Sequence, residues 1–127
     1  MQNKILKTVK EVSVHFCNKE KYDEIKFDDD VAVMQTSLAT LNSELDFLLN
    51  IKEAMFFPFF GENWDALFDC IQDMGWLPSK HYVLAIHDSG RCWKEQPEIL
   101  HKCAIFWLDA TLFWKEWNTS FHLIYTI

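Results

Sequence analysis

An α/β fold built on a mainly parallel sheet is predicted for this 127-residue chain, and three observations predict it. Three apolar segments of strand length, Val31 to Met34, Tyr82 to Ile86 and Phe121 to Ile127, are separated by stretches of helical periodicity. The intervals between them are long enough for helical crossovers, which parallel neighbours require. Half of the residues are hydrophobic and 16% aromatic, with only three Gly and three Pro, which favours one packed core. A chain of this length is expected to form a single domain, 1–127, and to bury roughly two thirds of its unfolded surface. It divides into an N-terminal extension, 1–30, and a core, 31–127.

In the extension, Val12, Val14 and Phe16 alternate with Ser13, His15 and Cys17, the pattern of a half-buried strand. Asn18 to Glu24 reads as a turn, and a second strand through Ile25 and Phe27 precedes the acidic loop of Asp28, Asp29 and Asp30. One or two added strands are therefore expected there. Val31 to Met34 is a core strand ending near Gln35. Thr40, Asn42 or Ser43 can cap the helix that follows, with Asp46 in the capping-box position relative to Ser43. Leu45, Leu48, Leu49 and Met55 line its inner face, and its end falls near Glu53.

Phe56, Phe57, Phe59 and Phe60 around Pro58 form an aromatic loop, after which Gly61 and Asn63 mark a turn and a helix N-cap. Between Asn63 and the stop at Gly75 and Pro78, Trp64, Leu67, Phe68, Ile71 and Met74 recur at spacings of three and four and make one apolar face. Asp65, Asp69 and Asp73 recur every fourth residue on the other side. Like charges so spaced repel by a few tenths of a kcal/mol per pair. The positive end of the helix dipole accommodates Glu62 and Asp65 but not Asp73, and spacing alone favours a solvated face over a binding face.

The uninterrupted run Tyr82 to Ile86 suits a strand covered on both faces and ends in His87 and Asp88. Ser89 to Gln96 is a loop or a single helical turn around Trp93. Pro97 opens a long helix to about Trp117, whose buried stripe is Ile99, Cys103, Phe106, Ala110, Phe113 and Trp117. Leu100, Trp107, Leu108 and Trp114 widen that stripe beyond what one core needs and offer a contact surface. The closing FHLIYTI is a strand.

The formal net charge of -7, from 19 acidic and 12 basic residues, argues against nucleic acid and anionic membranes and for a cationic partner. The first fourteen residues intersperse Lys and Glu among apolar positions and do not read as a signal peptide, and no apolar run could span a bilayer, so a cytoplasmic protein is expected. Cys17, Cys70, Cys92 and Cys103 show neither CxxC nor zinc spacing and read as small core hydrophobes. GxSxG, HExxH, P-loop and GxGxxG motifs are absent, and His15, His81, His101 and His122 are scattered singly. His87 and Asp88 suit a strand-end hydrogen bond. No cofactor or metal is expected. Two other functions remain open: a metal-dependent hydrolase using Asp65 and Asp69, with His87, and an interaction domain using the aromatic surface of the last helix. Carboxylate chemistry needs a cleft with a third ligand or a shifted pKa, and a pair on the polar side of an amphipathic helix offers neither ligand nor shift in support of the first.

The stretch FPFFGENWDALFDCI, Phe57 to Ile71, resembles the signature of the barstar family of ribonuclease inhibitors over about fifteen contiguous positions. Weaker agreement extends over Val31 to Ile127. The resemblance implies a three-stranded parallel sheet with helices packed on it, and no enzymatic activity. It also implies an acidic helix and aromatic loop that plug the active site of a cationic ribonuclease toxin, with carboxylates taking the place of substrate phosphates. By position, Asp69 would be the central carboxylate and Asp65 its flanking partner. Phe59 would be the loop aromatic that stacks on a catalytic His, and Gly61 and Asn63 would shape the loop. Trp76 would be the aromatic after the helix, and Glu116 an acid at the end of the last helix. Glu62, Phe68 and Asp73 complete the implied contact set. Phe68 stands where the family has another aromatic, and Phe59 lacks a phenol hydroxyl. A monomer is expected when free.

Overall fold

The computed structural model describes residues 13–39, 43–58 and 61–127. Nine elements follow one another in these residues: β1 (Val14–Cys17), α1 (Lys19–Asp23), β2 (Val31–Ser37), α2 (Glu44–Ala54), α3 (Trp64–Ile71), β3 (His81–His87), α4 (Gly90–Glu95), α5 (Pro97–Lys115) and β4 (Ser120–Thr126). The strands form one fully parallel sheet in the order β1-β4-β3-β2, so the last strand in sequence lies between the first and the third. The three apolar runs are β2, β3 and β4, as the sequence predicts, and the extension adds a fourth strand.

Residues paired across parallel strands share a face of the sheet, so the register defines two layers. Tyr82, Leu84 and Ile86 of β3 lie beside Phe121, Leu123 and Tyr125 of β4 and pack against α2, α3 and α5 through Phe47, Ile51, Leu67, Ile71 and Trp107. The opposite face presents Val31, Val83, Ala85 and Ile124, covered by Tyr22 and Ile25 of the extension. The two coverings account for the uninterrupted apolar content of β3.

Several elements differ from the sequence expectation. Asn18 to Glu24 is not a turn: Asn18 Oδ1 accepts the Lys21 N–H at 2.8 Å and caps α1. No strand passes through Ile25 and Phe27. The Ile25 N–H closes the end of α1 on the Tyr22 carbonyl at 3.0 Å, and its side chain plugs the sheet's second face. One added strand results, and Val12 lies outside the described residues. β2 runs three residues past Met34, to Ser37.

α2 is capped by Ser43, whose Oγ accepts the Asp46 N–H at 3.1 Å, while Thr40 and Asn42 fall outside the described residues. Its inner face is Phe47, Leu48 and Ile51, and Leu45 is 47% exposed. In α5, Trp107 is core: it stacks on Phe121 with ring centroids 4.5 Å apart and donates its indole N–H to the Phe121 carbonyl at 3.1 Å. Leu100 is buried as well, whereas Phe106 and Phe113 are half-buried and Trp117, beyond the helix end, is 67% exposed. Within α5 the exposed apolar surface is therefore aliphatic, made by Ile105, Leu108 and Leu112, and exposed Trp117 follows the helix. Cys92 and Cys103 are buried, Cys17 and Cys70 are half-buried, and all four are free thiols. Burial pushes the Cys103 thiol up to about 12. No helix among the described residues is long and apolar enough to cross a membrane.

Imidazoles tie the extension to the core. His15 Nε2 lies 2.8 Å from His122 Nδ1, joining β1 to β4. Buried His87 meets Gln35 Oε1 at 2.8 Å through Nε2 and Thr126 Oγ1 at 3.0 Å through Nδ1, and Gln35 Oε1 also accepts the Tyr22 hydroxyl at 3.0 Å. Because an amide oxygen only accepts, Nε2 carries the proton and Nδ1 accepts from Thr126. Burial lowers the pKa of both His15 and His87, which favours their neutral forms. The unfolded state then binds more protons below the ordinary His value, so stability is full above about pH 6.5 and falls as the pH drops toward the depressed folded values. Urea titrations from pH 7.5 to 5 should show a falling midpoint, and the decline should flatten in His87→Asn. A midpoint independent of pH in this window would contradict the assignment.

Candidate functional site

The best-defined polar surface is assembled around α3. Asn63 lies in extended backbone before the helix, its Oδ1 accepts the Ala66 N–H at 2.8 Å, and its Nδ2 donates to the Gly61 carbonyl at 3.1 Å. The predicted cap thus fixes both the start of the helix and the loop before it. Glu62 takes a left-handed backbone, φ 58°, and is exposed. Inward, Trp64, Leu67 and Ile71 are buried. The Trp64 indole donates to a Glu44 carboxylate oxygen, and the Lys102 ammonium lies 5.0 Å from its ring centroid. Phe68 packs on Phe106 at 5.3 Å, so it serves the seam between α3 and α5. The other end is held by Trp114, whose Nε1 donates to the Ile71 carbonyl at 2.8 Å.

Asp65 and Asp69 stand exposed one turn apart on the outward side of α3. Asp73 does not extend this stripe along the helix as the spacing predicts. α3 ends at Ile71, the chain turns through Met74 at φ 55°, and Asp73 Oδ1 accepts the Gly75 N–H at 3.1 Å. A carboxylate at this place closes a turn, and that hydrogen bond offsets its unfavourable position beside the negative end of the helix dipole. Trp76 is half-buried, donates its indole N–H to the Met55 carbonyl at 3.0 Å and meets Phe57 edge-on at 5.5 Å. It is thereby anchored to the C-terminal end of α2.

An open cleft of about 210 Å³ lies beside these groups, lined by Pro58, Gly61, Ala66, Asp69, Cys70, Asp73 and Trp76. Four of the predicted site residues, Gly61, Asp69, Asp73 and Trp76, meet there. Asp65 lies outside it, one turn up the helix. Glu116 is exposed at the C-cap of α5 and does not line the cleft. Phe59 lies outside the described residues. Pro58, Ala66 and Cys70 are lining residues that sequence reading did not single out, although Cys70 follows Asp69 and its position was legible from that. Burial first, then Asp69 and Asp73, push the Cys70 thiol up, so it is held protonated and is a poor nucleophile. Among the described residues no three His, Cys, Asp or Glu side chains converge as a metal-binding set. His87 is engaged with Gln35, Thr126 and Tyr22 on the sheet face opposite α3, so the trio Asp65, Asp69 and His87 is not assembled.

The arrangement comprises two exposed carboxylates one turn apart, an open cleft and an anchored indole, with side-chain hydrogen bonds at both ends of α3. A family model described as Barstar (barnase inhibitor) matches residues 31–126, from the start of β2 to the last residue of β4. No curated protein matches the chain.

Proposed function

The chain belongs to the barstar family, and from that premise we propose that it is an immunity protein which binds a cationic ribonuclease toxin and occludes its active site. The observation that carries this reading is the pair of exposed carboxylates one turn apart on α3, with Asp69 lining the cleft that Trp76 also lines and Asp65 just outside it. Two carboxylates about one helical turn apart can stand in for neighbouring phosphates of an RNA chain, and an active site built to hold phosphates supplies the complementary cations. Asp69 is the central contact and Asp65 its flank. Phe59 is the aromatic contact that the family resemblance implies, Gly61 and Asn63 hold the turn into α3, and Glu62, Phe68, Trp76 and Glu116 frame the contact. Asp73 closes the rim. Such a protein has no chemistry of its own and acts in the cytoplasm, where the RNA to be protected is found. It is a monomer until it meets its toxin.

The direct test is inhibition of RNA cleavage by a barnase-type ribonuclease and by any ribonuclease encoded next to this chain; failure against both would overturn the reading. Steering by net charge predicts a second result. The association rate measured by stopped flow should fall at least several-fold between about 50 mM and 500 mM salt, because the screening length shrinks from roughly 14 Å to 4 Å. Barnase and its inhibitor are the reference pair for such steering, so its direction is a family trait. A rate unmoved by salt would show that Asp65 and Asp69 do not act at a distance.

A further inference from the structure

We propose that the free edge of β2 is a strand-addition site for an extended, basic segment of a partner protein, separate from the acidic face of α3. In the order β1-β4-β3-β2, β2 pairs only with β3 among the described residues. Parallel pairing turns the N–H and C=O of alternate residues toward one neighbour. The bonds flanking the ladder fix which residues these are: the His81 N–H donates to the Asp30 carbonyl at 3.2 Å, and the Leu38 N–H donates to the His87 carbonyl at 2.9 Å. Even-numbered residues therefore serve β3. Val33, Gln35 and Ser37 direct their N–H and C=O groups away from the sheet, as Val31 does in donating outward to the Asp28 carbonyl at 3.1 Å.

β2 runs seven residues, VAVMQTS, without a charge or a proline, the devices that ordinarily protect an edge. Beside it lies a groove of about 440 Å³, walled by β2 on one side and by Asn50, Glu53 and Ala54 of α2 on the other, with Phe56 at its end. Phe56 is 66% exposed and holds a left-handed backbone, φ 58°. An added strand would pair with Val33 and Gln35 and place every second side chain in this groove. Its chemistry follows from the charges. Glu53 lines the groove, Asp29 is exposed just before β2, and the chain carries a net charge of -7; Lys52 belongs to the neighbouring hollow. A second copy would set equal negative charges together, whereas a basic extended segment is attracted.

The probe is a fluorescein-labelled (Val-Lys)₄ peptide followed by anisotropy, with native-state hydrogen exchange on the Val33 and Gln35 amides. The wild-type protein should bind it, and (Val-Glu)₄ should not compete. Val33→Pro removes an outward N–H without touching the β3 ladder, so far-UV circular dichroism should be unchanged and affinity should fall about 5-fold for the one backbone bond lost. N-methylation of alternate peptide nitrogens should produce a similar loss, Asp69→Ala none, and the two amides should exchange at least 10-fold more slowly in the complex. The proposal is overturned by absence of binding, by equal binding to Val33→Pro, by strong protection of both amides in the free protein, or by a dimer that Val33→Pro dissolves. The amide measurement needs no variant, so misfolding of Val33→Pro would not protect the idea.

Discussion

Asp69→Ala should cost at least about 2 kcal/mol in binding to the inhibited ribonuclease, roughly a 30-fold rise in Kd, while leaving the fold intact. Asp69 is exposed on α3 at the mouth of the cleft, so its removal withdraws nothing from the core. In the complex it would be the group most fully surrounded by cations, and the loss includes the cost of leaving those cations buried and unpaired. A graded series separates this from a general charge effect. Asp65→Ala, on the rim, should cost about 1 kcal/mol or less, in line with an exposed ion pair. Asp73→Ala should barely change binding but should lower stability by about 0.5 to 1.5 kcal/mol, because its carboxylate closes the turn on the Gly75 N–H. Isothermal titration and urea unfolding measured on all three variants check the pattern. A loss under about 1 kcal/mol for Asp69→Ala would remove it from the centre of the interface.

Removing residues 1–27 should destabilise the domain by at least about 4 kcal/mol. Tyr22 and Ile25 are buried against Val31, Val83, Ala85 and Ile124, and each large side chain contributes roughly 1.5 to 3 kcal/mol by burial alone. The Tyr22 hydroxyl bond to Gln35 and the pairing of β1 with β4 would go as well. An uncovered sheet face is also an association hazard, so the truncated chain should self-associate as judged by light scattering. The family match begins at residue 31, so the alternative outcome is a core that stands alone. A truncated chain that unfolds within about 1 kcal/mol of the full chain would show that the extension merely lies on the sheet.

The residues that sequence reading placed well are those whose local chemistry decides the outcome without tertiary help. Asn63 can satisfy a helix N-terminus by itself, and the run Tyr82 to Ile86 that became β3 is apolar at every position because both faces of the sheet are covered there. Failures arose where one signal was extended past its cause. The four-residue spacing of Asp65, Asp69 and Asp73 continues in sequence, but the helix does not, since Met74 takes a left-handed backbone. α1 has five residues, little more than one turn, too few for periodicity to register. In α2 several leucines compete for the inner face, and packing chose the phase that buries Phe47 and Ile51 over Leu45. In α5 the count of aromatics suggested a contact surface, but Trp107 and Trp114 are spent on carbonyls of β4 and α3, partners that only the tertiary structure brings near. The candidate site was legible as residues; the cleft was not, because Pro58 and Trp76 meet there only after the chain has folded.

The place of β4 bears on how the chain reaches this structure at all. The last strand made is an interior strand, flanked by the first on one side and the third on the other, and the contact between His15 and His122 closes a loop of 107 positions. Closing a loop of that length costs entropy before any pairing is gained, and folds governed by such distant pairings are slow. During synthesis β2 and β3 can pair early, but β1 has no neighbour until Ser120–Thr126 leaves the ribosome. Completion of the sheet therefore waits on the seven residues of β4.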